Sequence, residues 1–137
     1  MSRRTRRVLM SYEYVIDSYA WIEYFRGTPS GGKVRPYVEG DRAATSALTL
    51  AELREKYLRE GWKSYEEDSE FIAAKTFVAP VDRQAAELAG ALNHARKKVV
   101  RDWGMADSVV LATARVASAR VVTGDKHFHG LSDAIMI

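Results

Sequence analysis

The 137-residue chain contains no cysteine. Disulfides, zinc–thiolate sites and thiol nucleophiles are therefore excluded, and a reducing cytoplasm is the expected location. Asn93 and Gln84 are its only carboxamide side chains. Such labile residues are scarce in hyperthermophile proteins, so a thermophilic source is the expectation. No apolar run approaches the roughly 20 residues that a membrane helix requires, and no membrane partner is expected. Internal repeats, low-complexity blocks and long linkers are also missing.

What is present suits one folded domain. Hydrophobic residues make up 47% of the chain and charged residues 28%, too much apolar matter for a disordered chain. At this length one sizeable core can form, since a domain near 150 residues buries about 68–70% of its unfolded surface. The formal charge of +3 is misleading. Arg3, Arg4, Arg6 and Arg7 precede any acid, and residues 8–137 carry 17 basic and 18 acidic groups. The basic character belongs to a tail, residues 1–11, expected to be frayed, with Met10 an alternative start. Residues 12–137 are expected to form the domain. Tyr12-Glu13-Tyr14 follows the arginines, where an export signal needs an apolar stretch of about 7–15 residues.

Strands and helices alternate. Tyr12–Asp17 reads as a strand, and Ser18–Arg26 as a helix capped by Ser18 and stopped by Gly27. Thr28–Gly32 reads as a loop, Lys33–Glu39 as a short helix weakened by Pro36, and Ala43–Ala47 as a strand. Leu50–Glu60 carries an apolar stripe of Leu50, Leu53, Tyr57 and Leu58 and ends at Gly61. Trp62–Ala74 reads as a helix and Phe77–Val81 as a short strand. Asp82 caps a helix over Arg83–Arg96, and Lys97–Gly104 is a loop. Met105–Ser118 is a helix apolar nearly all round from Val109 to Ala117, hence buried. Arg120–Thr123 and Ala134–Ile137 close the pattern as strands. This alternation predicts an α/β fold with a mostly parallel sheet between helix layers. Ligands in such sheets bind beyond the carboxyl ends of the strands.

Four acids occupy suggestive places. Asp17 ends the first strand, and Asp125 follows Val121-Val122-Thr123-Gly124. Glu52 and Asp107 are placed at helix starts, Glu52 inside a Thr49-x-x-Glu52 capping box. Each has an ordinary structural role available, as a cap or turn residue. Asp102 competes with Asp107. If all four meet, their repulsion needs a counter-charge, since two unit charges about 4 Å apart cost roughly 4 kcal/mol near a protein surface. A divalent, oxygen-seeking cation supplies it. Lys97, Lys98, Arg101 and Lys126 are candidates for phosphate contacts. His127 and His129 are expected to be exposed, with no third ligand for zinc. The helix after Asp17 carries Tyr19, Trp21, Ile22, Tyr24 and Phe25, more large apolar groups than one face can bury. The surplus is either a second layer of core or a partner's docking patch.

Four stretches, Val15–Ile22, Thr49–Leu53, Ala106–Ala114 and Val122–Phe128, taken in this order, resemble the PIN-domain nucleases. Length and arrangement look most like the toxins of VapBC toxin–antitoxin pairs. The resemblance spans roughly residues 12–130. It implies a PIN-like three-layer α/β/α fold with a central five-stranded sheet, a homodimer, and Mg²⁺- or Mn²⁺-dependent cleavage of RNA to a 5′-phosphate and a 3′-hydroxyl. It implies metal-binding and catalytic roles for Asp17, Glu52, Asp107 and Asp125, with Ser18 and Thr123 in support. It also implies a small VapB-type antitoxin as partner. The alternatives are a housekeeping PIN ribonuclease and an inactive PIN-like or receiver-like module. A receiver needs an acidic pair near its first strand, and Glu13 is not adjacent to Asp17. An aspartate-nucleophile phosphatase needs Asp-x-Asp, and Asp17-Ser18-Tyr19 lacks the second acid.

Overall fold

The computed structural model describes residues 11–137; the arginine-rich tail lies outside the described residues. Five strands, β1 (Tyr14–Ile16), β2 (Ala43–Ser46), β3 (Phe77–Ala79), β4 (Arg120–Thr123) and β5 (Ala134–Met136), form one sheet in the order β3-β2-β1-β4-β5. Every pairing is parallel, so the sheet is wholly rather than mostly parallel. Six helices connect and cover it: α1 (Ser18–Arg26), α2 (Pro29–Glu39), α3 (Ala47–Glu60), α4 (Tyr65–Lys75), α5 (Arg83–Arg96) and α6 (Met105–Arg115).

Period-two alternation in the central strands divides the core. Val15, Ala44 and Val121 face a cluster with Val110, Leu111 and Ala114 of α6, together with Trp103 and Phe128. Their neighbours Ile16, Ala43 and Val122 face the opposite cluster, built with Trp21 of α1, Val34 and Val38 of α2, Leu53 of α3 and Ile72 of α4. The sheet is thus sandwiched between helix layers. The chain leaves β1 toward β2 on one side and β4 toward β5 on the other. The β1/β4 boundary is therefore the topological switch point, where an open α/β sheet forms its crevice.

Several local expectations are corrected. Thr28–Gly32 is not a loop: Thr28 Oγ1 accepts from Gly31 N at 3.0 Å and Pro29 opens α2. Proline is at home in a first turn because its missing N–H has no intrahelical partner there. Asp17, not Ser18, caps α1. Ser46, not Thr49, caps α3, its hydroxyl accepting from Leu48 N at 3.2 Å. Consequently Glu52 sits in the second turn rather than at the helix start, and the Thr49/Glu52 capping box does not form. Leu58 is 63% exposed and stands off the α3 stripe. The helix expected over Trp62–Ala74 starts at Tyr65, and the long apolar helix ends at Arg115.

Helices α1 and α2 cross closely at Gly31, where an added Cβ would stand 2.9 Å from Tyr24 Cα and closer still to the Glu23 carbonyl. Both obstacles are backbone and neither can swing aside. Gly31→Ala is expected to cost about 1–3 kcal/mol or more through overpacking. Its neighbour Gly32 has open space, so Gly32→Ala is expected to stabilise α2 by roughly 0.5–1 kcal/mol. Urea denaturation of the two variants checks the opposite signs.

Candidate metal centre

Asp17 N–H donates to the Val122 carbonyl at 3.2 Å, continuing the β1–β4 ladder past the end of β1. This places Asp17 beside Thr123 at the end of β4. Asp17 Oδ1 accepts from Ala20 N at 2.9 Å, and the Thr123 hydroxyl also bonds its carboxylate. Thr123 Oγ1 in turn accepts from Asp125 N at 2.9 Å. One hydroxyl therefore ties the two strand-end acids together.

The helical acids arrive from the other elements. Ser18 hydrogen-bonds Glu52. Asp107 lies in the first turn of α6, where Oδ2 accepts from Gly104 N at 3.1 Å. That turn is fixed from below. The Trp103 indole donates to Ser108 Oγ at 2.7 Å, and Ser108 donates to Asn93 Oδ1 at 3.1 Å. Asp17, Glu52, Asp107 and Asp125 all line a single cleft of about 310 Å³.

The cleft's electrostatics are those of crowded negative charge. Asp17 is only 6% exposed. Burial pushes its carboxyl from the ordinary 3.8 up to about 7, against the hydrogen bonds from Thr123 and Ala20 and aided by Asp125 and Glu52. Glu52 is also raised, first by burial and then by Asp107 and Asp125. An acid held this way takes up a proton near neutrality unless a cation replaces it.

His127 departs from expectation. It is not exposed: its ring Nδ1 lies 3.1 Å from Asp107 Oδ2 and 3.5 Å from Asp125 Oδ1, while its backbone N–H donates to Asp125 Oδ1 at 2.9 Å. Donor atoms of Asp107, Asp125 and His127 all lie within 4.8 Å of one another. His129 is exposed as expected. Asp102 is exposed at a left-handed turn residue (φ 65°) and does not line the cleft, which removes it as a rival to Asp107. Lys97, Lys98, Arg101 and Lys126 are exposed and also lie off its lining. The basic groups on the cleft wall are instead Lys56 and Arg59 of α3. They recur at four and seven residues after Glu52, so the helical period that places Glu52 in the cleft places them there too.

Most of the aromatic surplus of α1 is core. Trp21 is fully buried, and Tyr24, Phe25 and Phe71 pack with it at centroid distances of 5.4–6.4 Å. Tyr24 thus belongs to the second layer of core. Tyr19 remains outside, 46% exposed on the cleft rim.

The donor set fits a small hard cation. Four carboxylates supply oxygen, and the raised Asp17 gains from a positive neighbour. A divalent, oxygen-seeking cation meets those demands.

Comparison with known proteins agrees with this fold. No curated protein sequence matches the chain. A Klebsiella pneumoniae toxin–antitoxin complex contains a chain of similar fold, with TM-score 0.73 and 18% identity over 90% of this chain and 97% of that one. The Mycobacterium tuberculosis toxin VapC20, described as cleaving the sarcin–ricin loop, gives TM-score 0.71 and 15% identity over 91% and 98%. A DNA-bound VapBC from Salmonella typhimurium gives TM-score 0.66 and 21% identity over 92% and 97%. The family model of the PIN domain matches residues 14–133, which takes in all four acids and four of the five strands. The chain belongs to the PIN-domain family.

Proposed function

We propose that the chain is a metal-dependent endoribonuclease and the toxin of a VapBC-type pair. The observation that carries this is the meeting of Asp17, Glu52, Asp107 and Asp125, from four separate segments, in one cleft at the switch point of the sheet. Likeness to toxin chains supports the toxin role over a housekeeping one. A small antitoxin, a homodimeric state and a cytoplasmic location belong to the same proposal.

In this reading Asp17, Glu52, Asp107 and Asp125 hold Mg²⁺ or Mn²⁺. The bound ion supplies Lewis-acid stabilisation of phosphoryl charge and makes water a better nucleophile. The chain's own groups do the rest. Thr123 and Ser18 orient the carboxylates of Asp17 and Glu52. Asp17 would hold the cation as the ionised carboxylate. The His127 ring holds Asp107 and Asp125 at their mutual spacing. Lys56 and Arg59 meet the RNA phosphates, with Arg101 and Lys126 as outlying contacts at most.

The test is cleavage of single-stranded RNA by purified protein. Cleavage is expected with Mg²⁺ or Mn²⁺, lost with EDTA and restored by excess metal. Expression is expected to arrest growth, with relief by a small neighbouring gene. Cleavage without growth arrest would favour a housekeeping ribonuclease. No cleavage with either metal would reject the reading.

A further inference from the structure

Tyr19 stands apart from the other aromatics of α1. It follows Asp17 by two residues, lines the acid cleft, and leaves 46% of its surface to solvent. Among the described residues its ring pairs with no other ring, whereas Trp21, Tyr24 and Phe25 pack together. The ring nevertheless has a fixed seat on Gly124, the residue before Asp125. A Cβ built at Gly124 would meet Tyr19 Cδ1 at 2.6 Å and Cζ at 3.1 Å. Only a residue without a side chain leaves room for the ring there. The seat bridges the ends of β1 and β4, the same two elements that deliver Asp17 and Asp125.

Building on the ribonuclease reading above, we propose that Tyr19 is a nucleobase-stacking subsite, holding the base next to the scissile phosphate. A phosphate at the acids leaves its flanking base close to the cleft rim. A flat, half-exposed ring there offers a π-face to any base, which gives affinity with little sequence preference. Lys56 and Arg59 line the same cleft, so it offers cations for backbone phosphates as well as a ring for a base. This placement beside the acids favours RNA over a protein partner as the occupant.

The experiment uses the full chain and a short single-stranded RNA, with KM and kcat measured for wild type, Tyr19→Phe, Tyr19→Ala and Gly124→Ala. Loss of one stacked base should weaken binding roughly 5- to 150-fold. Tyr19→Ala is expected to raise KM by such a factor with kcat little changed, the signature of lost ground-state binding. Tyr19→Phe is expected to match wild type. Gly124→Ala displaces the ring, and is expected to raise KM in wild type but to add nothing to Tyr19→Ala. An abasic nucleotide walked through the RNA should find one position where wild type weakens and Tyr19→Ala does not. Equal KM for wild type and Tyr19→Ala, with cleavage intact, would overturn the subsite alone. Weakened capture of the antitoxin alongside that equal KM would assign the ring to the protein partner instead. Failure of wild type to cleave any RNA would overturn the function and the subsite together.

Discussion

Asp17→Asn is expected to abolish RNA cleavage while making the metal-free protein more stable. The first effect follows from position. Asp17 is the most buried of the four acids and is linked through Thr123 to Asp125. Removing its charge would take away a proposed ligand and unbalance the group, and a loss of about 10²- to 10³-fold is expected, as for removing a key electrostatic group from other active sites. The fold should survive, because Asn caps helices about as well as Asp, and the bond to Ala20 N can persist.

The second effect has the opposite sign, and pH reveals it. Burial pushes the Asp17 carboxyl up to about 7 in the folded chain, against its ordinary 3.8 in the unfolded one. Between these values the folded chain binds more protons than the unfolded chain, so stability falls as pH rises. The penalty is absent below pH 3.8, accumulates toward pH 7, and is complete above it. Its size is on the order of 4 kcal/mol at 1.36 kcal/mol per pH unit. Thermal melts of metal-free wild type should therefore decline across this window, and those of Asp17→Asn should decline less. Full cleavage by the variant would remove Asp17 from the site. Identical pH profiles would remove the buried charge.

Trp21→Ala carries the largest expected loss of stability. The side chain is fully buried, its indole donates to Thr45 Oγ1 at 3.1 Å, and its ring stacks on Phe25 with Phe71 edge-on. Thr45 extends the contact to Thr76, and Thr76 to the Ile72 carbonyl, so one indole joins α1, β2 and α4. Truncation leaves a cavity, with an expected cost of about 3–5 kcal/mol. For a domain of this size that corresponds to roughly 10–15 °C in Tm. Trp21→Phe keeps much of the volume and should lose clearly less. Trp21 is one turn from Asp17 on α1, so loosening it also loosens the site. Calorimetric unfolding of the three proteins checks this order, and a cost for Trp21→Ala below about 1 kcal/mol would contradict the packing account.

The layout of strands and the order of the acids were legible because both rest on strong local signals. Val-Ile-Asp and Val-Val-Thr-Gly-Asp each join a β-prone run to a polar stop, and Gly27, Gly61 and Asp82 mark helix ends by backbone chemistry. Where signals competed, the reading failed. Gly31 and Gly32 suggested a loop, yet Thr28 and Pro29 start a helix, and Gly31 is there for the close α1 crossing. Thr49-x-x-Glu52 imitates a capping box, but Ser46 reaches the end of β2 first and takes the cap. That shift moves Glu52 to the second turn without removing it from the cleft. His127 was missed because only the turn after β4 folds its ring back toward α6, and nothing local encodes α6 as its neighbour. Lys56 and Arg59 share the helical period of Glu52, whereas the basic loop Lys97–Arg101 has the charge but lies off the cleft lining.

The four acids are proposed to accept one kind of guest, a divalent cation. Calorimetric titration of metal-free protein with Mn²⁺ near pH 7 tests that directly. Saturable binding with proton release is expected, because Asp17 must ionise to receive the ion. Tm should rise as the ion concentration passes its dissociation constant, and Asp17→Asn and Asp107→Asn should both lose the heat. Absence of binding in wild type, or undiminished binding in both variants, would contradict a cation held by these carboxylates.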